Sequence, residues 1–259
     1  MTDETLPGQA TPEPELPATF FEGLLPFTDA DDVGAVQPVV PDGVLGGSSS
    51  GLYIGKGLTA NEFTAYVQSY DFGSKPPTFI VLHHTSIPDT KHARLRHASW
   101  DSSEAGLNDA QIYAKRQKQL NGIWNYYRRQ LGWDRGPHLF IDERWIWLFT
   151  PMYYQGIHAA EGNGTTYNYS IGIEVVGHYD RVTWPSQIEA LVGHAVAVLK
   201  RQLGTFELQH QRFAGGVSSH RDYNKPFCPG AAITEEYYLR VLREGWDRLN
   251  SEGLARSIQ

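Results

Sequence analysis

Apolar positions recur with the periods of helices and strands from about residue 56 onward; before that point they follow neither period. Thr59-Ala60-Asn61-Glu62 is a helix start, and Phe63, Tyr66 and Val67 share one side, which predicts a short helix to about Tyr70. Gly73 and Pro76-Pro77 break the chain. Thr78–Leu82 is an uninterrupted, β-branched-rich run, the pattern of a strand buried on both faces. His83 and His84 stand at its C-terminal end, where open α/β sheets bind ligands. Residues 85–107 are polar and irregular, a solvated loop carrying His92 and His97. Asn108 can cap a helix to Leu131, stopped by Gly132, with Leu120, Ile123, Trp124, Tyr127 and Leu131 on one face. His138–Asp142 and Trp145–Phe149 read as a hairpin around Glu143-Arg144, residues 161–169 as a glycine-rich loop, and Ile171–Val176 as a further strand. Pro185 opens a strongly periodic helix that ends at Gly204. Thr234–Leu249 is the last helix, with Tyr238, Leu242, Trp246 and Leu249 as its buried stripe. Strands interleaved with long helices make an α/β domain over residues 56–259.

Residues 1–55 differ in composition. They contain seven of the 15 prolines and end in Gly46-Gly47-Ser48-Ser49-Ser50-Gly51, which reads as a disordered extension. Phe20, Phe21, Leu24, Leu25 and Phe27 form a short sticky segment within it. The extension holds nine of the 29 acidic residues and no Lys or Arg, so the remainder carries 22 bases against 29 − 9 = 20 acids. A domain of net +2 on that count lacks the basic face that nucleic-acid binding needs. No run of 18 apolar residues is present, so no membrane span is expected. Nor is there a basic-then-apolar N-terminal leader, so no secretory signal is expected.

One stretch concentrates chemistry. Ser219-His220-Arg221-Asp222-Tyr223-Asn224-Lys225-Pro226-Phe227-Cys228-Pro229-Gly230 contains the single cysteine of the chain, eight positions after a histidine (228 − 220). A lone cysteine makes no internal disulfide; it packs, attacks as a nucleophile or binds metal. Imidazole with thiolate is a zinc-type ligand pair, and a third protein ligand leaves one position open. His83 and His84 alternate across a strand, so at most one of them points readily at a given metal. Glu174 falls in a strand, where an ionised group is costly unless paired, solvent-facing at an edge or functional.

Five motifs, in order, carry a resemblance: Val81-Leu82-His83-His84-Thr85, Pro137-His138-Leu139-Phe140-Ile141-Asp142, Gly156-Ile157-His158-Ala159, Ser170-Ile171-Gly172-Ile173-Glu174, and His220-Arg221-Asp222 through Cys228-Pro229-Gly230. The chain resembles the type-2 N-acetylmuramoyl-L-alanine amidases, a family that includes amidase-type phage lysozymes and peptidoglycan recognition proteins. The resemblance implies a single domain with a central mixed β-sheet flanked by helices. It implies one Zn²⁺ per chain on His83, His220 and Cys228, with Glu174 moving the proton and Lys225 near the oxyanion. It further implies substrate contacts at His158, His138 and Asn168. Two positions depart from the family: Pro137 stands where many members have a tyrosine, and Pro226 where catalytic members often have a lysine, with Lys225 one residue earlier. His92, His97, His178, His194 and His210 match no motif and are expected to be structural or superficial.

The implied activity is hydrolysis of the amide between N-acetylmuramic acid and L-alanine, with bacterial peptidoglycan or muropeptides as partner. Two other readings share the motifs: a recognition protein that binds peptidoglycan without cutting, and a zinc peptidase acting within the stem peptide. Cys228 favours an enzyme, since binding-only relatives typically lose that ligand. The missing leader suits a phage or prophage lysin released by other means, a phage structural component or a recycling enzyme. The sequence does not give an oligomeric state.

Overall fold

The computed structural model describes residues 52–86 and 104–257, the side chains of 252–257 excepted. The sticky segment at residues 20–27, the expected disorder of residues 1–51, and His92 and His97 lie outside the described residues. The elements run β1 (Lys56–Leu58), α1 (Ala60–Gln68), β2 (Phe79–His84), α2 (Asp109–Gln130), β3 (Leu139–Ile141), β4 (Ile146–Leu148), β5 (Gly164–Thr165), β6 (Asn168–Val175), α3 (Ser186–Leu203), β7 (Val217–Ser219) and α4 (Glu235–Ser257).

The helix starts follow local chemistry. Thr59 and Glu62 form a reciprocal capping box on α1, and Asn108 and Gln111 form another on α2. Gly204 closes α3 in the left-handed conformation that glycine adopts without penalty. The sheet order is β1-β4-β3-β6-β2-β7, with β5 paired only to the start of β6. β4 pairs antiparallel with both β1 and β3, whereas β3, β6, β2 and β7 run parallel. This is a mixed sheet flanked by helices.

Alternation along the strands divides the two faces. Ile80 and Leu82 of β2, Leu139 and Ile141 of β3, Ile146 and Leu148 of β4, and Ile171, Ile173 and Val175 of β6 enter one large core with α1, α3 and α4. Phe140 and Trp147 point the other way, into a smaller core under α2 with Leu120, Ile123, Trp124 and Tyr127. The part of that second face not covered by α2, beside Phe79 and Val81, is left to loops and to the site.

The expected boundary at residue 56 falls inside a packed segment. Tyr53 stacks on Trp124 at 5.3 Å and donates to Asn121 Oδ1 at 2.6 Å. The Ile54 and Gly55 amides donate to the Phe149 and Leu148 carbonyls. The domain therefore extends back at least to Leu52. The helix expected to end at Leu249 continues to Ser257, and the strand expected from Ile171 starts at Asn168. The short strands β1, β5 and β7 carry too few residues for their alternation to show in the sequence.

α3 and α4 approach backbone to backbone at Gly193 and Gly245. A Cβ on Gly245 would lie 2.4 Å from the Gly193 carbonyl carbon, and one on Gly193 would lie 2.9 Å from the Val241 oxygen. Gly245→Ala adds helix propensity worth about 1 kcal/mol but forces the two helices apart. We expect net destabilisation of about 1–3 kcal/mol, read from the midpoint of denaturant unfolding. An unchanged or raised midpoint would show that the helices separate without cost.

Candidate metal centre

The three parallel strands β6, β2 and β7 end side by side, and the site lies on those ends. β2 delivers His83, and β6 delivers Glu174 directly opposite it in register. β7 ends at Ser219, so His220 begins the 3-10 turn His220–Tyr223 at the same level. A capping box closes that turn: the Ser219 amide donates to Asp222 Oδ2 at 2.8 Å. Backbone bonds then fold the loop back. The Arg221 amide donates to the Cys228 carbonyl and the Cys228 amide to the Lys225 carbonyl, both at 2.9 Å. The Arg221 guanidinium donates to the Gly230 carbonyl at 2.8 Å. Cys228 Sγ accepts from the His84 amide at 3.4 Å.

The result is a tight donor cluster. His83 Nδ1 lies 3.0 Å from His220 Nδ1 and 3.9 Å from Cys228 Sγ. One atom from each of His83, His220 and Cys228 falls within 4.8 Å of the other two. A tetrahedral zinc with bonds of about 2.0–2.3 Å places its ligand atoms about 3.3–3.6 Å apart, so the donor set fits that ion in type and spacing. Glu174 reaches the cluster from β6, with Oε1 3.9 Å from His83 Nδ1.

Burial keeps these imidazoles neutral. His83 is held well below the ordinary imidazole range by loss of solvent, then by the neighbouring His220, His158 and His84. His220 is pushed down to about 3 by burial, and then by Lys225 and His84. Neutral imidazole, with a lone pair available, is the form that binds metal.

The remaining expected residues separate into two groups. His158 comes to the cluster, with Nδ1 3.0 Å from His83 Nε2, and lines the same cleft. Lys225 lines the cleft too. His138 is fully buried, and its ring is taken up by the backbone: Nδ1 accepts from the Gly172 amide at 3.0 Å, and Nε2 donates to the Tyr154 carbonyl at 2.8 Å. Asn168 starts β6, six residues before Glu174 at the opposite end of the strand, and its side chain accepts from the Thr78 hydroxyl. His138 and Asn168 thus sit outside the cleft lining, where the resemblance had implied substrate contacts.

The cleft, of about 380 Å³, is also lined by residues to which the sequence assigned no role. Tyr127, Trp133, Phe140 and Ile157 supply apolar surface, and Phe227 stands at it 71% exposed. His178 and Asp180 add a polar pair, Nε2 to Oδ2 at 2.7 Å, where His178 had been expected to be structural or superficial. The signal for the aromatic surface was the Tyr127 end of the α2 stripe, which read as ordinary core. His194 instead ties α3 to α1 through Thr64 and the Ala60 carbonyl, and His210 pairs with Asp222 and Glu235.

The family model described as N-acetylmuramoyl-L-alanine amidase matches residues 73–231, which contain every residue of this cluster. The chain belongs to the N-acetylmuramoyl-L-alanine amidase family. Solved structures similar to this amidase-family chain include Drosophila PGRP-LB, at 15% identity over 65% of this chain and 84% of that one, with a TM-score of 0.43. A point mutant of the same protein in complex with tracheal cytotoxin matches at 16% identity over 64% and 82%, with a TM-score of 0.43. Manduca sexta peptidoglycan recognition protein-1 matches at 16% identity over 71% and 79%, with a TM-score of 0.36. No curated protein matches the chain. Among the described residues no helix is long and apolar enough to cross a membrane.

Buried neutral histidine also sets an acid limit on stability. The His138 ring is lowered from 6.5 to about 4, chiefly by burial. Below pH 6.5 the unfolded chain takes up this proton first, so folding loses stability as pH falls from about 6.5 to about 4, by at most ~1.4 kcal/mol per pH unit for this group. Above that window the contribution is pH-independent. His138→Asn should flatten the fall of unfolding free energy between pH 7 and pH 4 relative to the parent protein. An identical slope would remove His138 from the acid response.

Proposed function

We propose that this chain hydrolyses the amide between N-acetylmuramic acid and L-alanine in bacterial peptidoglycan or muropeptides, with one zinc ion held by His83, His220 and Cys228. The observation that carries the reading is the convergence of two neutral imidazole nitrogens and one sulfur at the foot of a cleft, beside a carboxylate. Zinc on such a set supplies Lewis-acid polarisation of a carbonyl and makes water a stronger acid.

The chain's own groups supply the rest. In this reading Glu174, 3.9 Å from His83, takes a proton from the attacking water and returns it to the departing amine of L-alanine, which cannot leave as an anion. Lys225 brings positive charge to the cleft, where negative charge develops on the carbonyl oxygen. The apolar surface of Tyr127, Trp133 and Phe140 fits the hydrophobic face of a sugar or peptide and keeps water away from the reacting bond. Pro137 has no proton to give, so no second donor stands at that position.

The test is mass spectrometry of muropeptides after incubation with the zinc-loaded protein. The expected products are an intact lactyl-bearing muramic acid and a free stem peptide. Binding without products would turn the reading to recognition, and a cut inside the stem peptide would make the chain a peptidase. Glu174→Gln should keep one equivalent of zinc and lose roughly 10²–10⁴-fold in kcat. Cys228→Ser should drop zinc well below one equivalent. Near-normal turnover of Glu174→Gln would move the proton role to another group, and unchanged zinc in Cys228→Ser would refute the ligand set.

A further inference from the structure

The tautomer of His83 can be read from a chain of hydrogen bonds that starts at Ser170. The Ser170 hydroxyl has one proton. Its Oγ lies 2.7 Å from the Gly162 carbonyl oxygen, which can only accept, so the proton goes there. The same Oγ lies 3.1 Å from His158 Nε2 and has only lone pairs left to offer it. His158 Nε2 therefore carries a proton. Its two nitrogens face the uncharged Ser170 hydroxyl and His83 imidazole in a buried pocket, where an unpaired cation is costly, so the ring is neutral and Nδ1 carries the lone pair. That Nδ1 lies 3.0 Å from His83 Nε2, which must then be the donor. A neutral His83 protonated on Nε2 has a bare Nδ1, the atom that faces His220 and Cys228.

The surrounding chain is built around this arrangement. Ser170, Gly172 and Glu174 are alternate residues of β6 and so project from one face of the sheet. The His158 ring occupies the space over Gly172: a Cβ there would lie 2.5 Å from His158 Cγ. Asn163 Oδ1 accepts from both the His158 and the Ala159 amides, at 2.8 and 2.7 Å, which fixes the loop carrying the ring. His158 is 5% exposed and Ser170 fully buried, so water does not compete for these bonds.

We propose that Ser170 and His158 are positioning residues that lock His83 in the tautomer with a bare Nδ1, and so set the affinity of the His83–His220–Cys228 site for its metal. This assigns His158 to the support of a ligand, in place of the substrate contact that the family resemblance implied. It rests on the reading of His83 as a zinc ligand, and the test separates the two.

In the metal-free protein, nitrogen-15 NMR of labelled histidine should show both His83 and His158 protonated on Nε2. Zinc affinity, measured by competition with a chromophoric chelator, should fall about 10-fold in Ser170→Ala and up to about 100-fold in His158→Ala, the usual range for loss of a ligand's supporting bond. His158→Asn should recover much of the loss, because its Oδ1 can accept from His83 Nε2 near the position of the lost Nδ1. Circular dichroism checks that each variant is folded; should His158→Ala fail to fold, the tautomers of the parent protein and the affinity of Ser170→Ala still decide. His83 protonated on Nδ1 in the parent protein would overturn the proposal, and so would an unchanged affinity in Ser170→Ala and His158→Ala. Absence of zinc binding by the parent protein would instead refute the functional reading, while the tautomer measurement would still test the lock.

Discussion

Holding two imidazoles and a thiol against one another, largely out of water, is the costly contact on which the rest of this structure depends. Each group loses hydration on burial, and none of the three can satisfy the others by hydrogen bonding alone. The chain offsets this cost locally. The His84 amide donates to Cys228 Sγ, and His158 accepts from His83. Backbone bonds between Arg221, Lys225 and Cys228 fix the distance from His220 to the sulfur. The ligands come from positions far apart in sequence, 83 against 220 and 228. They meet because β2 pairs in parallel with β7 with Leu82 opposite Ser219, so the next residues of the two segments, His83 and His220, stand side by side.

The division of β6 into two faces explains how one strand serves both core and chemistry. Ile171, Ile173 and Val175 enter the large core, and their burial fixes the register of the strand. A slip by one residue would put Ser170, Gly172 and Glu174 into that core and three aliphatic side chains into the cleft. The hydrophobic register is therefore also the alignment device of the site. Gly172 is the point where the two demands meet: a residue with a side chain would suit a strand better, but the His158 ring already occupies that space.

Much of this was legible in the sequence, for identifiable reasons. α2 has a capping box, an apolar stripe and a following Gly132, so both its ends were marked; α3 has Pro185 and Gly204 for the same purpose. His83, His220 and Cys228 were legible as residue types recurring at family spacings, and the structure brings them together. The placements of His138 and Asn168 were not legible. Whether a motif residue faces a cleft or a backbone amide depends on strand phase and on where the strand begins, and β6 begins earlier than its apolar run suggests. The place of Tyr53 was hidden for a different reason: it comes just after the Gly/Ser run of residues 46–51, so the composition of the segment masked an aromatic that packs on Trp124 and Phe149. The importance of Ser170 was hidden as well, because a serine at that position has no chemistry until the residue across from it is known to be a histidine.

The same hydrogen-bond accounting narrows the choice of proton carrier. His138 has its Nδ1 occupied by the Gly172 amide and its Nε2 by the Tyr154 carbonyl, so it cannot serve without giving up a bond to the backbone. His158 is engaged at both nitrogens, by Ser170 and His83. The position at which many relatives carry a tyrosine holds Pro137. Among the described residues lining the cleft, Glu174, Lys225, His84 and the His178–Asp180 pair are among the titratable groups that remain. Of these, Glu174 comes within 4 Å of a candidate ligand, on the strand that pairs with β2 in register at His83. Its position is therefore fixed by the sheet, whereas His178 follows the end of β6 and depends on Asp180 for its orientation. A proton shuttle has to keep its distance from both the attacking and the leaving atom through the reaction, and that requirement favours the residue held by the strand.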